Sequence, residues 1–388
     1  MRKLYLDMKH TTGIAGAYRM DATALSNAAG VNLGNLVFRH ALRFIISDLD
    51  AFEPVTGPEY RDIVQSEKPD HVLVSCANWL GQTQRDEQFN LGRAEMVEAA
   101  DCTVTAFGLG VQAPAMDAER PIRLGPNSIR LARALSERAP QLSVRDELTR
   151  RTLEASGITN AVVTGCPSNF INCDPDLGRR VAARAAHLAG RLTRWDEVRS
   201  AISEVTGGHV ASGAVLKRQM AMLDETPAFY ILQTPGLLPF VLGERTNITD
   251  LYRENNPFMG QSGRLSKALL SKVLHFGNVE AWLDFSRTCD LSFGMRIHGT
   301  MVPLQAGVPS VLVAHDSRTV GLAAAMGVPW ISPEQFLTIH DAGPQAMLDA
   351  FAGQIEGYDA KRKVLAGVMK NLVEASGLRP HAELLRLV

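Results

Sequence analysis

Phe293-Gly294-Met295-Arg296-Ile297-His298-Gly299-Thr300 stands between two contrasting stretches. Cys289-Asp290-Leu291-Ser292 before it leads an apolar run that reads as a buried strand. Met301-Val302-Pro303-Leu304-Gln305-Ala306-Gly307 after it reads as a short helix. A guanidinium and an imidazole two residues apart therefore fall where a strand gives way to a helix. In open α/β sheets, ligands bind at that carboxyl edge. The helix N-terminus adds amide donors and a partial positive charge, so an anion is the natural guest.

The same alternation runs outward in both directions. Residues 71–76 and 102–107 read as buried strands, the second ending in Gly108-Leu109-Gly110. Residues 91–100 and 129–138 read as helices, the latter capped by Ser128. A short strand at 142–144, a helix at 146–156 closed by Gly157, and a strand at 161–164 ending in Gly165-Cys166-Pro167 follow. Residues 176–222 are rich in Arg and Ala and show no strand run. Strands then resume at 229–232, 272–276, 291–293 and 310–314, with helices at 278–287 and 320–326. Residues 346–376 read as helical. The expected architecture is α/β, with two Rossmann-like parallel-sheet domains facing across a cleft. The expected boundaries are an N-terminal domain over 1–175 on the acceptor side and a helical connector over 176–225. A C-terminal domain over 226–345 lies on the donor side, and a helical tail over 346–388 follows.

Bulk properties exclude several classes. Forty basic residues face 41 acidic ones in 388, so no general field favours nucleic acid. No apolar run reaches the roughly 18 residues of a membrane-spanning helix. Arg2 and Lys3 precede an apolar run that stops at Asp7, which does not fit a signal peptide. The five cysteines form no CxxC and no tight Cys/His cluster, so no metal is expected and a reduced, cytoplasmic location is. The Asn247-Ile248-Thr249 match to a glycosylation site has no bearing there.

Five constellations carry candidate chemistry. Arg296 offers a planar fork for a carboxylate or phosphate, and His298 can exchange a proton near neutrality. The plain alternative is that Arg296 pairs with a carboxylate and His298 caps a helix. In Ser143-Val144-Arg145-Asp146, Arg145 is aimed off a strand end, or is an ordinary charge beside a cap. In Phe107-Gly108-Leu109-Gly110-Val111-Gln112 the glycines admit close backbone approach. Position 113 is Ala, so no dinucleotide fingerprint is present, and a tight turn accounts for the glycines equally well. Asn32-Leu33-Gly34-Asn35 precedes an apolar helix; its amides could hold a phosphate or sugar hydroxyl, and capping by Asn35 alone also explains it. His315-Asp316-Ser317-Arg318-Thr319 puts polar groups at another strand end, with Asp316 or Ser317 as a cap. Cys166 has no histidine beside it in sequence and reads as a small buried thiol.

These pieces, in this order, resemble the polysaccharide pyruvyl transferase family over roughly residues 30–335. The likeness is strongest in Ser143-Val144-Arg145-Asp146-Glu147-Leu148-Thr149 with Gly165-Cys166-Pro167, and in Arg296-Ile297-His298-Gly299 with Gly307-Val308-Pro309. It implies a GT-B-like fold and a phosphoenolpyruvate donor used as co-substrate, with no other cofactor. It implies a sugar acceptor from an exopolysaccharide or cell-envelope precursor, lipid-linked acceptors and peripheral membrane contact included. The product it implies is a cyclic pyruvate ketal. Arg296 and His298 match the family's donor-site Arg-x-His, and Arg145 matches the basic residue of its S-x-R-D segment. Arg318, His315, Gly299, Gly108, Gly110, Gln112, Asn32, Gly34 and Asn35 are expected around the substrates. Three positions depart from the pattern: Asn35 and Cys166 stand where Asp is common, and Arg318 where Lys is frequent. Two other readings share the architecture. One is a glycosyltransferase with a nucleotide-sugar donor, for which Glu334 could clasp a ribose. The other is an inactive carbohydrate-binding relative, which Asn35 encourages.

Overall fold

The computed structural model describes residues 2–6, 12–112, 120–247, 250, 253–254 and 268–388. Ile248 and Thr249 of the glycosylation match lie outside the described residues.

The first sheet contains β1 (Lys3–Leu6), β2 (Phe52–Val55), β3 (His71–Ser75) and β4 (Thr103–Phe107) in the order β2-β1-β3-β4. β5 (Leu142–Val144) and β6 (Ala161–Val163) extend it through a parallel bridge between Leu109 and Val144. The second sheet holds β7 (Ser200–Ser203), β8 (Phe229–Leu232), β9 (Val273–His275), β10 (Leu291–Gly294), β11 (Ser310–Val313) and β12 (Trp330–Ile331). Its order is β12-β11-β10-β7-β8-β9, and every pairing is parallel. The strand order thus reverses between β7 and β10, the crevice where doubly wound sheets bind their ligands. The two Rossmann-like sheets face each other across a cleft, as the alternation predicts.

β7 corrects the expectation of a strand-free connector over 176–225. Ser200-Ala201-Ile202-Ser203 is a central strand of the second sheet, fully buried between β10 and β8. Ser203 is small for a packing reason. A Cβ on Gly294 would lie 2.3 Å from Ser203 Oγ, and one on Gly299 2.2 Å from Ser203 Cβ. A bulky residue at 203 would collide with the β10 turn, so the strand carries no apolar run to be read.

Residues 14–46 also depart from the simple halves. Ile14, Leu25, Leu36 and Ile46 belong to the hydrophobic core of the second sheet, together with Leu291, Val311 and Leu348. Backbone bonds stitch the segment there: Ile14 N–H to Gly277 O at 2.8 Å, Leu33 N–H to Gln233 O at 2.8 Å, and Ser47 N–H to Arg379 O at 2.9 Å. A smaller core under β3, β4 and β5 serves the first sheet.

Side-chain caps open several of the helices. Asp146, Asn278 and Asp316 each accept the backbone N–H three residues on, opening helices Glu147–Ala155, Val279–Arg287 and Ser317–Met326. Two expected caps fail. Helix Pro126–Arg138 begins at its proline after Gly125, and Ser128 is buried inside it, donating to Glu87 Oε1 at 2.6 Å. Helix Asn35–Ala41 has Gly34 at its cap, while Asn35 Nδ2 donates to Ala29 O and Gly30 O at 3.1 and 3.0 Å. A carboxylate at 35 could not make those two bonds.

The tail helix Tyr358–Ala375 braces the assembly. Arg362, wholly buried within it, donates to Asn169 O at 3.3 Å, Asp174 O at 3.0 Å and Asn172 O. No helix among the described residues is long and apolar enough to cross a membrane.

Candidate active site

At the carboxyl edge of β10 the chain turns sharply through Gly294, at φ +145°, a conformation that disfavours a side chain. Arg296 follows as the N-cap residue of helix Ile297–Gln305, its N–H donating to Ser203 Oγ at 3.3 Å. His298 lies in the first turn of that helix and is buried. Arg296 does meet a carboxylate, as the plain reading allowed. Its Nη2 lies 3.7 Å from Glu204 Oε2, just past the end of β7. That contact is loose, because Glu204 already accepts the backbone N–H groups of Gln233 and Thr234 at 3.2 and 3.0 Å. Arg296 Nε is buried with no hydrogen-bond partner among the described residues.

Arg145 comes from the opposite sheet. It leaves the end of β5 and is almost wholly buried. Its Nε donates to Gly108 O at 2.8 Å, and its two terminal nitrogens reach Cys76 O at 3.3 Å and Asn78 Oδ1 at 3.5 Å. All three acceptors are neutral, and among the described residues Arg145 forms no ion pair. Two glycines flank it, and only at Gly110 would a side chain crowd it. Cβ atoms there would fall 3.6 Å from Arg145 Nε and 3.1 Å from Arg145 Cδ, and Gly108 sits at φ +71°. The guanidinium lies over the Phe38 ring at 5.6 Å.

The third cation, Arg318, opens helix Ser317–Met326 after β11 and lies 3.2 Å from Asp316 Oδ2. His315 Nε2 is 3.5 Å from the same oxygen, and its buried Nδ1 has no hydrogen-bond partner among the described residues.

These side chains surround one cavity of about 230 Å³ between the two sheets. Of the expected residues, Asn32, Asn35, Gln112, Arg145, Arg296, His298, His315 and Arg318 line it. Gly34, Gly108, Gly110 and Gly299 do not; each lets a cavity wall pack closely instead. Phe38, Asn78 and Gln233 line it as well and were not anticipated. Asn78 and Gln233 follow strands that are legible in the sequence, so a polar residue just past a strand end was the available signal. Phe38 carried none. Glu334, the candidate ribose clasp, is largely exposed and is not among the lining residues.

The charges act on one another. His298 is pushed down to about 3, first by burial and then by Arg145 and Arg318. His315 is pushed down to about 4, mainly by burial, against the opposing pull of Asp316. Arg318 is lowered by burial and by the like charges of Arg145 and Arg296. Three guanidiniums thus converge, with Glu204 beside Arg296, Asp316 beside Arg318 and the buried Asp146 acting on Arg145, and both histidines are neutral at neutral pH. Such a site favours a compact polyanion. No cluster of His, Cys, Asp or Glu suited to a metal ion occurs among the described residues.

Cys166 also requires a correction. The sequence puts no histidine near it, but the fold sets its Sγ 3.7 Å from His298 Nε2. The partners are far apart in the chain, so only the packing of the two sheets reveals the pair.

The family description polysaccharide pyruvyl transferase matches residues 32–317. No curated protein matched the chain. Among solved structures, an α,α-trehalose-phosphate synthase (UDP-forming) from Burkholderia vietnamiensis is 13% identical over 83% of this chain and 77% of its own, with a TM-score of 0.38. The S. aureus MnaA–UDP co-structure is 10% identical over 98% and 99%, with a TM-score of 0.41. UDP-GlcNAc 2-epimerase from Methanocaldococcus jannaschii is 11% identical over 80% and 84%, with a TM-score of 0.38. At these scores the likeness says nothing of this chain's ligand. The family match takes in most strands of both sheets and the cavity-lining residues from Asn32 to His315, and the chain belongs to the polysaccharide pyruvyl transferase family.

Proposed function

We propose that this chain transfers pyruvate from phosphoenolpyruvate to two hydroxyls of a sugar in a polysaccharide or glycan precursor, forming a ketal. The observation that carries the reading is the convergence of Arg145, Arg296 and Arg318 with His298 on a single small cavity. Ligand pockets for drug-sized molecules run from about 300 Å³ upward, so a site of this size suits a three-carbon donor. The donor's carboxylate and phosphate need more than one cation to leave water productively. Two of the three guanidiniums are supplied by the second sheet and one by the first. Donor binding would therefore draw on both sides of the cleft.

The proposed chemistry balances as follows. One sugar hydroxyl adds to C2 of the enol, and its proton is passed to the methylene carbon, which becomes the methyl group. Phosphate then leaves from C2. The second hydroxyl adds to the same carbon, and its proton departs with phosphate. His298, neutral and facing the cavity, accepts the first hydroxyl proton and hands it on. The guanidiniums stabilise the charge that gathers on the leaving phosphate. The amides of Asn32, Asn78 and Gln112 line the cavity and offer hydrogen bonds to sugar hydroxyls.

The test is phosphate release from phosphoenolpyruvate in the presence of candidate glycans, with mass spectrometry of the glycan. Acceptor-dependent release with a gain of pyruvate less one water supports the reading. No release with any envelope-type acceptor, together with turnover of a nucleotide sugar, would replace it with the glycosyltransferase reading.

A further inference from the structure

Beside the cavity, the first sheet carries a row of rings and guanidiniums that the transfer chemistry does not use. Ala77 and Asn78, past the end of β3, line the cavity, and Trp79 follows them in the chain. Asn90, in helix Gln84–Ala99, donates from Nδ2 to Trp79 O at 2.7 Å, which ties that helix to the loop of the cavity wall. The Arg93 guanidinium lies over the Trp79 ring at 4.3 Å and over the Phe89 ring at 5.7 Å, and Arg85 lies over Phe89 at 5.7 Å. Positions 85, 89 and 93 are four apart, so they share one face of the helix. Phe89 is 54% exposed, although aromatic rings are among the side chains that gain most from burial.

Gly92, three residues after Phe89, adjoins it on the helix surface. A Cβ at Gly92 would meet no atom within 4 Å, and its backbone is ordinary helix. Glycine inside a helix costs stability relative to almost any other residue. Neither packing nor backbone conformation therefore calls for glycine here, and what it leaves is a notch beside an exposed ring.

We propose that Phe89 and Gly92, flanked by Arg85 and Arg93, form a subsite for a further sugar of the acceptor glycan, one that carries a carboxylate. The apolar C–H face of a sugar ring suits the Phe89 ring and the bare helix surface at Gly92. Its carboxylate suits the flanking guanidiniums. Arg93 spends a donor on Asn90 Oδ1 at 2.9 Å, and a guanidinium has five. Carboxylates near the helix start are already engaged: Asp86 accepts from the Thr83 N–H and hydroxyl at 3.1 and 2.7 Å, and Glu87 from the Ser128 hydroxyl at 2.6 Å. The row begins one residue from Asn78, so a glycan whose reacting sugar occupies the cavity has this surface beside it. The inference deepens the functional reading above and rests on it for the acceptor's being a glycan.

The experiment titrates the full chain with tetragalacturonate and with the neutral maltotetraose, following tryptophan fluorescence. Tetragalacturonate is expected to bind several-fold more tightly, with a fluorescence change that Trp79→Phe removes. Phe89→Ala should weaken that binding roughly two- to tenfold, the worth of one aromatic contact. Gly92→Leu should weaken it too while melting no lower than the unsubstituted protein, because leucine is the better helix former. In phosphate-release assays with an accepted oligosaccharide, both variants should raise KM and leave kcat unchanged. Unaltered tetragalacturonate binding in Phe89→Ala and Gly92→Leu would overturn the proposal. So would maltotetraose binding as tightly as tetragalacturonate, or no binding of either. If the protein bound tetragalacturonate at this surface but released no phosphate from phosphoenolpyruvate, the functional reading would fall while the subsite stood.

Discussion

Replacing Gly34 by alanine puts a methyl group where three cavity side chains already converge. Its backbone, at φ −61° and ψ −17°, is one that alanine adopts freely, so the substitution carries no conformational strain. By itself it would stabilise the chain by about 0.4–1 kcal/mol through the unfolded state. The cost is steric. The added carbon would meet Gln233 Oε1 at 2.7 Å, His298 Nδ1 at 2.9 Å and Asn32 Oδ1 at 3.0 Å, against 3.4 Å for ordinary contact. Each neighbour must give way by about half an ångström, and overpacking of this kind costs about 1–3 kcal/mol. The two effects partly offset, so the melting temperature should fall only slightly. Catalysis is less tolerant, since a displacement of about 1 Å costs about 10²-fold. A drop in kcat/KM of roughly ten- to a hundredfold is therefore expected in a phosphate-release assay, with little change in melting. Wild-type kcat/KM in a variant shown by spectroscopy to be folded would refute the packing argument.

His298→Ala should keep the fold and lower turnover by about 10²–10⁴-fold, and a fully active variant would remove His298 from the chemistry. Asp316→Asn keeps a good helix cap but takes a negative charge from Arg318 and His315. Titration calorimetry should then find inorganic phosphate bound several-fold more tightly, and weaker binding would mean that Asp316 orients Arg318 rather than competing for it. Stability should also depend on pH in a definite direction. His40, His71, His315 and His340 are each held down near 4, chiefly by burial, against an ordinary value of 6.5. The unfolded chain binds more protons than the folded one between those values. Stability is therefore full above pH 6.5 and is lost as pH falls toward 4. Urea midpoints should be lower at pH 5 than at pH 7.5, and equal midpoints would contradict this assignment.

The sequence was legible where hydrophobic pattern and chemistry coincide. β10 is an apolar run that ends in glycine, and Arg296 and His298 come immediately after it, so both the strand end and the anion site could be read together. Arg145 and Arg318 were legible for the same reason, each following an apolar run. β7 was not, because Ser203 must stay small beneath Gly294 and Gly299 and the strand has no apolar signature. The placement of residues 14–46 on the second sheet was invisible too, since local pattern fixes a helix but not the surface it covers. The glycines were legible as sites of close approach, but what approaches is protein: Arg145 at Gly108 and Gly110, Ser203 at Gly299, and His298 at Gly34. Cys166 and His298 meet only through tertiary packing, which a single sequence does not encode at short range.

The central claim is that a small, multiply charged donor is gripped between the sheets by Arg145, Arg296 and Arg318. A crystal structure of the protein soaked with phosphoenolpyruvate measures this most directly. The account predicts the ligand in the interdomain cavity, with its carboxylate and phosphate on these guanidiniums and its three-carbon unit beside His298. Phosphoenolpyruvate bound elsewhere, with the three arginines making no contact to it, would contradict the account.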